Sequence, residues 1–374
     1  MNLNSVLVLN FGPITMRAFT LIFLLVIFCA VNGRCQEEEK PTFRLFLVGD
    51  AGEDDSTEAT LGDLGKQLKE SGENSAVIFL GDNCYRKAMY GLLPFEVKGF
   101  DGSNIARKRM MSQLNILKGY VGSAYFIPGN HDWWNYTNMR LGKKALLKQE
   151  TFVEGILRNS TLQNKENTFI PDKGEPGPVV REFNDNKTRV IFIDSYRLIL
   201  EEGGGRPDTG FLGTFYRNVK RALWEGAAKK QKIIVVAHHP IHAKGKHSVP
   251  LAAWESLVRR AADANTNYPP YNRMATHLDS LLKEQHHPDI YYVAGHEHSL
   301  EYFFNDSLHY LVSGAGSKVD NVDYKETVKE NEYFIWNEEG FFEIQFFGKF
   351  ERVLMYHRKT LKDKIEVHCV AGCK

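Results

Sequence analysis

Five short polar motifs hold the side chains of this sequence best suited to chemistry. They are Asp50-Ala51-Gly52, Gly81-Asp82-Asn83-Cys84-Tyr85, Gly129-Asn130-His131-Asp132, Val235-Val236-Ala237-His238 and Gly295-His296-Glu297-His298. Asp50 and Asp82 offer carboxylate oxygens, Tyr85 a phenolate, Asn130 an amide oxygen, and His238, His296 and His298 imidazole nitrogens. Seven donors are too many for one tetrahedral zinc. They suit two six-coordinate ions about 3.5–4 Å apart, with one carboxylate bridging and water in the open positions. His296 and His298 are two residues apart, so on a turn their rings can diverge toward neighbouring ions.

Each motif follows a run of β-branched and aromatic residues. Rigid strand ends can hold ligands in place before a metal arrives, and glycine lets the backbone turn sharply beside them. Strands are expected at 44–48, 76–80, 124–127, 190–193, 233–236, 290–293, 310–313, 341–347 and 352–357. Several are continuous apolar runs, the pattern of strands buried on both faces. Helical periodicity marks 57–70, with Leu61, Leu64 and Leu68 on one face, and 105–117, 215–230 and 277–284. Strand and helix in alternation argue for an α/β chain with a right-handed βαβ core. After Gly295 short turns join the strands, which predicts antiparallel hairpins. The expected architecture is a mixed sheet, or two sheets face to face, with helices outside. The segment 201–209 reads as a loop.

The chain has 374 residues, 43% of them apolar, which is ample for a buried core. Its net charge of +1, from 47 basic and 46 acidic residues, gives no footprint for nucleic acid. Arg17 precedes an uncharged apolar run from 18 to 31, which is as long as a secretory h-region and too short to span a bilayer. Residues 1–33 therefore read as a cleaved signal peptide, and the mature protein as exported, with no membrane span. Beyond Cys29 in that leader stand Cys35, Cys84, Cys369 and Cys373, whose pairing the sequence leaves open. Sequons begin at Asn135, Asn159, Asn186 and Asn305.

The motif set resembles the purple acid phosphatase branch of the calcineurin-like metallophosphoesterases, in its small, tartrate-resistant form. That branch carries D-x-G, G-D-x-x-Y, G-N-H-D/E, V-x-x-H and G-H-x-H, and all five stand here in order across about 43–316. The resemblance implies the metallophosphoesterase fold, two mixed sheets face to face in four α/β/β/α layers. The domain would span 41–358, with a C-terminal tail at 359–374. It implies a first metal, ferric iron, held by Asp50, Asp82, Tyr85 and His298. A second metal, iron, zinc or manganese, would be held by Asp82, Asn130, His238 and His296, with Asp82 bridging. The implied reaction is hydrolysis of a small phosphate monoester by in-line attack of a metal-bound hydroxide, with an acidic optimum. His131 occupies the position that contacts the phosphate. His247, nine residues after His238, matches the spacing of a histidine proposed to bind phosphate and protonate the leaving group. His239 departs from the pattern, standing where mammalian small forms have tyrosine.

Asp132, Glu297, His242, His286, His287 and His309 read as caps or satisfied polar contacts, with Asp132 expected to orient a neighbouring histidine. Cys84 reads as buried filler, and Trp133 and Trp134 either as a pocket wall or as packing. Two other functions fit the same metal core. One is a phosphodiesterase or nucleotide pyrophosphatase, with selectivity set by loops at 94–103, 201–209 and 244–272. The other is a metal-binding scaffold without turnover.

Overall fold

The computed structural model describes residues 39–53, 58–85, 100–133, 139–203, 208–248, 268–287, 290–305, 308–320, 333–357 and 365–369. The expected leader, Cys35, Cys373, Trp134 and most of the loops at 94–103 and 244–272 lie outside them. All elements described below belong to Pro41–Lys374.

Two mixed sheets flanked by helices make the architecture. The strands are β1 (Phe43–Val48), β2 (Ser75–Phe79), β3 (Ser123–Phe126), β4 (Val179–Phe183), β5 (Thr188–Phe192), β6 (Lys232–Val236) and β7 (Ile290–Ala294). They continue with β8 (Leu300–Asn305), β9 (Leu308–Ser313), β10 (Tyr333–Trp336), β11 (Gly340–Phe346), β12 (Glu351–His357) and β13 (Ile365–Cys369). The first sheet has the order β13-β12-β11-β1-β2-β3, the second β10-β8-β9-β7-β6-β5-β4. In the first, β1, β2 and β3 run parallel, and β11 to β13 add antiparallel. In the second, β5, β6, β7 and β9 run parallel, β4 and β8 run against them, and β10 pairs antiparallel with β8. The outermost strand β13 falls within the stretch set apart above as a tail. It is a short strand whose ladder partner, β12, can be known only in three dimensions.

Alternation along each strand explains the layers. Leu45, Leu47, Ile78, Ile127, Val190, Phe192, Ile234, Val236 and Val293 join one apolar cluster between the sheets. Their neighbours Phe46, Val48, Val77, Phe79, Ile191, Val235 and Tyr292 belong to a second cluster under the helices. A strand with both faces covered has no polar alternation to show, so the runs look continuously apolar. Burying a leucine or phenylalanine contributes about 1.5–3 kcal/mol, and these clusters hold dozens of such side chains.

The helices are α1 (Glu58–Ser71), α2 (Asn104–Asn115), α3 (Met139–Leu157), α4 (Ser195–Gly203), α5 (Thr209–Ala228) and α6 (Pro269–Lys283). Leu61, Leu64 and Leu68 of α1 face the core as the periodicity required. Ser103 caps α2 by accepting from the Ala106 amide, and Asp208 caps α5 by accepting from that of Phe211. The expected loop at 201–209 is thus taken up at both ends, by the last turn of α4 and the cap of α5. Among the described residues, no helix is long and apolar enough to cross a membrane.

Candidate metal centre

The motifs leave the carboxyl ends of parallel strands and meet where the two sheets face. From the first sheet, Asp50 lies just past β1, Asp82 past β2, and Asn130 past β3, opening a single helical turn, Asn130–Trp133. Tyr85 follows Asp82 on the same connection. All four contribute oxygen. From the second sheet, His238 lies past β6, and His296 and His298 past β7. All three contribute nitrogen.

The backbone is bent hard to present these groups. Asp50, Asp82 and His296 have φ of 56°, 52° and 70°, the left-handed region that non-glycine residues enter at a cost of about 1–3 kcal/mol. Gly129 has no room for a side chain, because a Cβ there would lie 2.2 Å from Oδ1 of Asp82. The His131 amide donates to Asp82 Oδ1 at 2.8 Å, and the His296 amide to Asp50 Oδ2 at 2.8 Å. The second of these bonds ties the two sheets together at the site.

Hydrogen bonds outside the cluster decide which ring nitrogen faces in. His238 Nδ1 donates to the Leu80 carbonyl at 2.7 Å, which turns Nε2 toward Asn130 Oδ1 at 3.0 Å and Asp82 Oδ1 at 3.4 Å. His298 Nδ1 donates to Asp320 Oδ2 at 2.8 Å, which turns its Nε2 toward the Tyr85 hydroxyl at 3.1 Å and Asp50 Oδ1 at 3.7 Å. His296 directs Nδ1 to Asn130 Oδ1 at 3.2 Å. The Tyr85 hydroxyl donates to Asp50 Oδ1 at 2.6 Å. Lone pairs of nitrogen and oxygen therefore converge in two adjacent groups, Asp50, Tyr85 and His298 in one, Asn130, His238 and His296 in the other, with Asp82 beside them. Converging lone pairs need cations or protons between them, and the donor set fits two metal ions. The triad of Asp50, Asp82 and His238 is also close enough to share one ion.

The electrostatics show the same need. Burial pushes the Asp50 carboxyl up to about 6, with Asp82 adding to it and His238 opposing. For Asp82 burial acts upward too, but His238 and His131 outweigh it and hold the group well below the carboxylate range. Burial would lower His238, yet Asp82 and Asp50 raise it to about 9, so the two carboxylates favour positive charge at this point. Burial, then Asp50 and Asp82, push the Tyr85 phenol well above 10. Burial holds His296 and His239 far below the usual histidine value.

His131 reaches the rim of this cluster, its ring centroid 4.6 Å from that of Tyr85 and its Nε2 3.9 Å from Asp82 Oδ2. His247 is brought there as well, its ring centroid 4.5 Å from that of His296 and 5.6 Å from that of His298. Two lysines join the rim. The Lys318 ammonium lies 3.8 Å from the Tyr85 ring centroid, and Lys246 pairs with Asp320 at 3.2 Å.

Other expectations resolve differently. Asp132 does not orient a histidine. It accepts from the Asn83 amide at 3.1 Å, from Asn83 Nδ2 at 3.0 Å, from the Gly129 amide at 2.8 Å and from Gln149 at 2.8 Å, so it locks two motif loops to α3. Trp133 is fully buried and donates to Asp194 at 2.6 Å, which makes it packing. Cys84 is a buried thiol, its Sγ 3.9 Å from the Ala106 carbonyl. His309 is buried against Tyr291 and contacts the Tyr302 hydroxyl. Asp320, Glu297 and His239 were not singled out by motif reasoning as parts of the site. His239 lies fully buried beside His238 and His296, its Nδ1 2.8 Å from Ser195 Oγ.

Comparison with known proteins agrees with this picture. The family described as calcineurin-like phosphoesterase matches residues 43–300. Among solved structures, GAP50, the anchor in the inner membrane complex of Plasmodium, is similar with 16% identity and a TM-score of 0.52, covering 88% of this chain and 87% of that one. PhoD is similar with 10% identity and a TM-score of 0.51, covering 88% and 72%. A dimetal phosphatase from Danio rerio gives 14% identity and a TM-score of 0.46, covering 85% and 96%. No curated protein matches by sequence.

Proposed function

We propose that this chain, which belongs to the calcineurin-like phosphoesterase family, is an exported phosphomonoesterase of the purple acid phosphatase branch. The observation that carries this reading is Tyr85, whose hydroxyl lies between Asp50 Oδ1 and His298 Nε2. A phenolate among hard oxygens is a ligand for ferric iron. Asp50, Asp82, Tyr85 and His298 would hold that iron, and Asp82, Asn130, His238 and His296 would hold a second ion, iron, zinc or manganese. The ions would supply Lewis acidity and a water of lowered pKa.

The chain's own residues do the rest. Leu80 and Asp320 fix the imidazole tautomers, so His238 and His298 are poised as ligands before any ion binds. The Lys246 and Lys318 ammonium groups, paired with Asp320 and Glu53, and the His131 ring stand at the rim where they would meet a dianionic phosphate monoester. His247 would hand a proton to the departing oxygen. Export rests on the leader at 1–33, which lies outside the described residues.

Purified protein should contain two transition-metal ions per chain, one of them iron, and absorb visible light when oxidised. Tyr85→Phe should abolish the absorption and leave the fold intact. A colourless zinc-only protein would move the chain to another branch. Hydrolysis of p-nitrophenyl phosphate should exceed that of its bis ester after metal reconstitution. The reverse would make the enzyme a phosphodiesterase, and turnover of neither would support the scaffold reading.

A further inference from the structure

We infer that Glu297, buried between two candidate metal ligands, is the positioning residue that aims His247 at the leaving group. The inference rests on the acid role proposed above for His247 and adds the device that orients it.

Glu297 has no exposed surface, which for a carboxylate demands partners. Its Oε2 accepts from the His247 amide at 2.9 Å and lies 3.3 Å from His247 Nδ1. One oxygen thus grips both the backbone and the ring of the same residue. With Nδ1–H given to Glu297, proton transfer falls to the other ring nitrogen, Nε2. A second buried carboxylate holds the loop three residues before His247: Glu301 Oε2 accepts from the Lys244 amide at 2.9 Å, while its Oε1 takes the Ser299 hydroxyl at 2.7 Å. Between these anchors stands Gly245, where a Cβ would come within 2.2 Å of Glu297 Oε2. The loop at 244–247 can therefore close onto Glu297 only because glycine occupies that position. Both carboxylates come from the connection after β7 and the start of β8, which also carries His296 and His298. The ligands thus share one piece of backbone with the carboxylates that hold the proton donor's loop.

In the reaction, a water oxygen bonds to phosphorus as the phosphorus–oxygen bond to the alcohol breaks. The alcohol oxygen takes the proton from His247 Nε2, and the imidazole recovers a proton from the attacking water. Through that cycle the Nδ1–H bond to Glu297 holds the ring in one orientation.

Glu297→Gln in the metal-reconstituted full chain should slow hydrolysis of an alkyl phosphate roughly 10–100-fold and p-nitrophenyl phosphate far less, because nitrophenolate leaves unaided. The same change introduced into His247→Ala should add nothing further. The ¹⁵N resonances of His247 should shift away from the Nδ1–H form. Gly245→Ala, which leaves both side chains intact, should reproduce the ester-selective loss. Equal losses on both esters, or losses that multiply in the double variant, would assign Glu297 to holding the metal ligands instead. An unchanged His247 ¹⁵N spectrum would overturn the contact itself. Should His247→Ala spare the alkyl ester, the acid reading fails, while the ¹⁵N spectrum still decides whether Glu297 orients the ring.

Discussion

The two sheets contribute to the centre in unlike currencies. The first supplies only oxygen, from Asp50, Asp82, Tyr85 and Asn130, and the second only nitrogen, from His238, His296 and His298. The oxygen half carries negative charge and two of the three left-handed residues, so it is strained and electrically unstable by itself. The nitrogen half is oriented from behind, by a carbonyl for His238 and a carboxylate for His298. One half attracts cations and the other chooses where they sit. The His296 amide on Asp50 and the His238 ring on the Leu80 carbonyl already join the halves, and cations held by both would join them further.

The largest effect should come from the residue that both halves address. Asp82→Asn removes the charge that His238 and His131 share, and should cost several kcal/mol of transition-state stabilisation, on the order of 10³-fold in kcat/KM. Metal analysis should show fewer than two ions per chain. Full metal content and activity would break the comparison, since the halves would then need no shared bridge.

An intermediate effect is expected from Asp320, which touches only the nitrogen half. Asp320→Asn frees His298 to take the wrong tautomer and should weaken metal binding about 10–100-fold, read by competition with a chelator. A loss as large as that of Asp82→Asn would mean that orientation matters as much as charge.

The smallest effect is on stability after chelation. Burial raises Asp132 and Asp194 from 3.8 to about 7, and Glu301 from 4.5 to about 8. His238, raised from 6.5 to about 9, acts in the same direction. Each holds its proton more tightly folded than unfolded, so its contribution is complete below the unfolded value and lost as pH rises through the folded one. Asp82, lowered, matters only below pH 4. The chelated protein should therefore melt lower at pH 9 than at pH 5, by roughly 2–4 °C per kcal/mol lost. Metal should restore more at the higher pH, where His238 need not surrender a proton. A melting temperature that climbs from pH 5 to 9 would contradict the burial of these carboxyls.

Much of this was legible in the residues, and the exceptions have physical causes. The strands were visible because doubly covered strands are apolar throughout, and the motifs because ligands beside tight turns need glycine neighbours. Helix α3 was hidden because its buried face is interrupted by Gly142, which lies under Trp133, and by Gln149, which serves Asp132. A stripe broken for a polar task loses its period. The short edge strand β4 lacks a strong pattern because its side chains are only partly buried. Asp320 lies 22 residues beyond His298 with no motif around it, and only folding brings the pair together. Glu297 was in view but looked bland, since its role depends on a loop fifty residues earlier.

The left-handed turns at Asp50, Asp82 and His296 also bear on how this protein would respond to directed evolution. Glycine accepts such a backbone without strain, so Asp50→Gly would relieve the bend while removing a carboxyl whose charge burial disfavours. Selection for heat resistance alone would then favour a change at a place where turnover is lost. A library screened without a substrate would enrich for sturdy, inert relatives of this chain, with the Asp50 turn among the first to go.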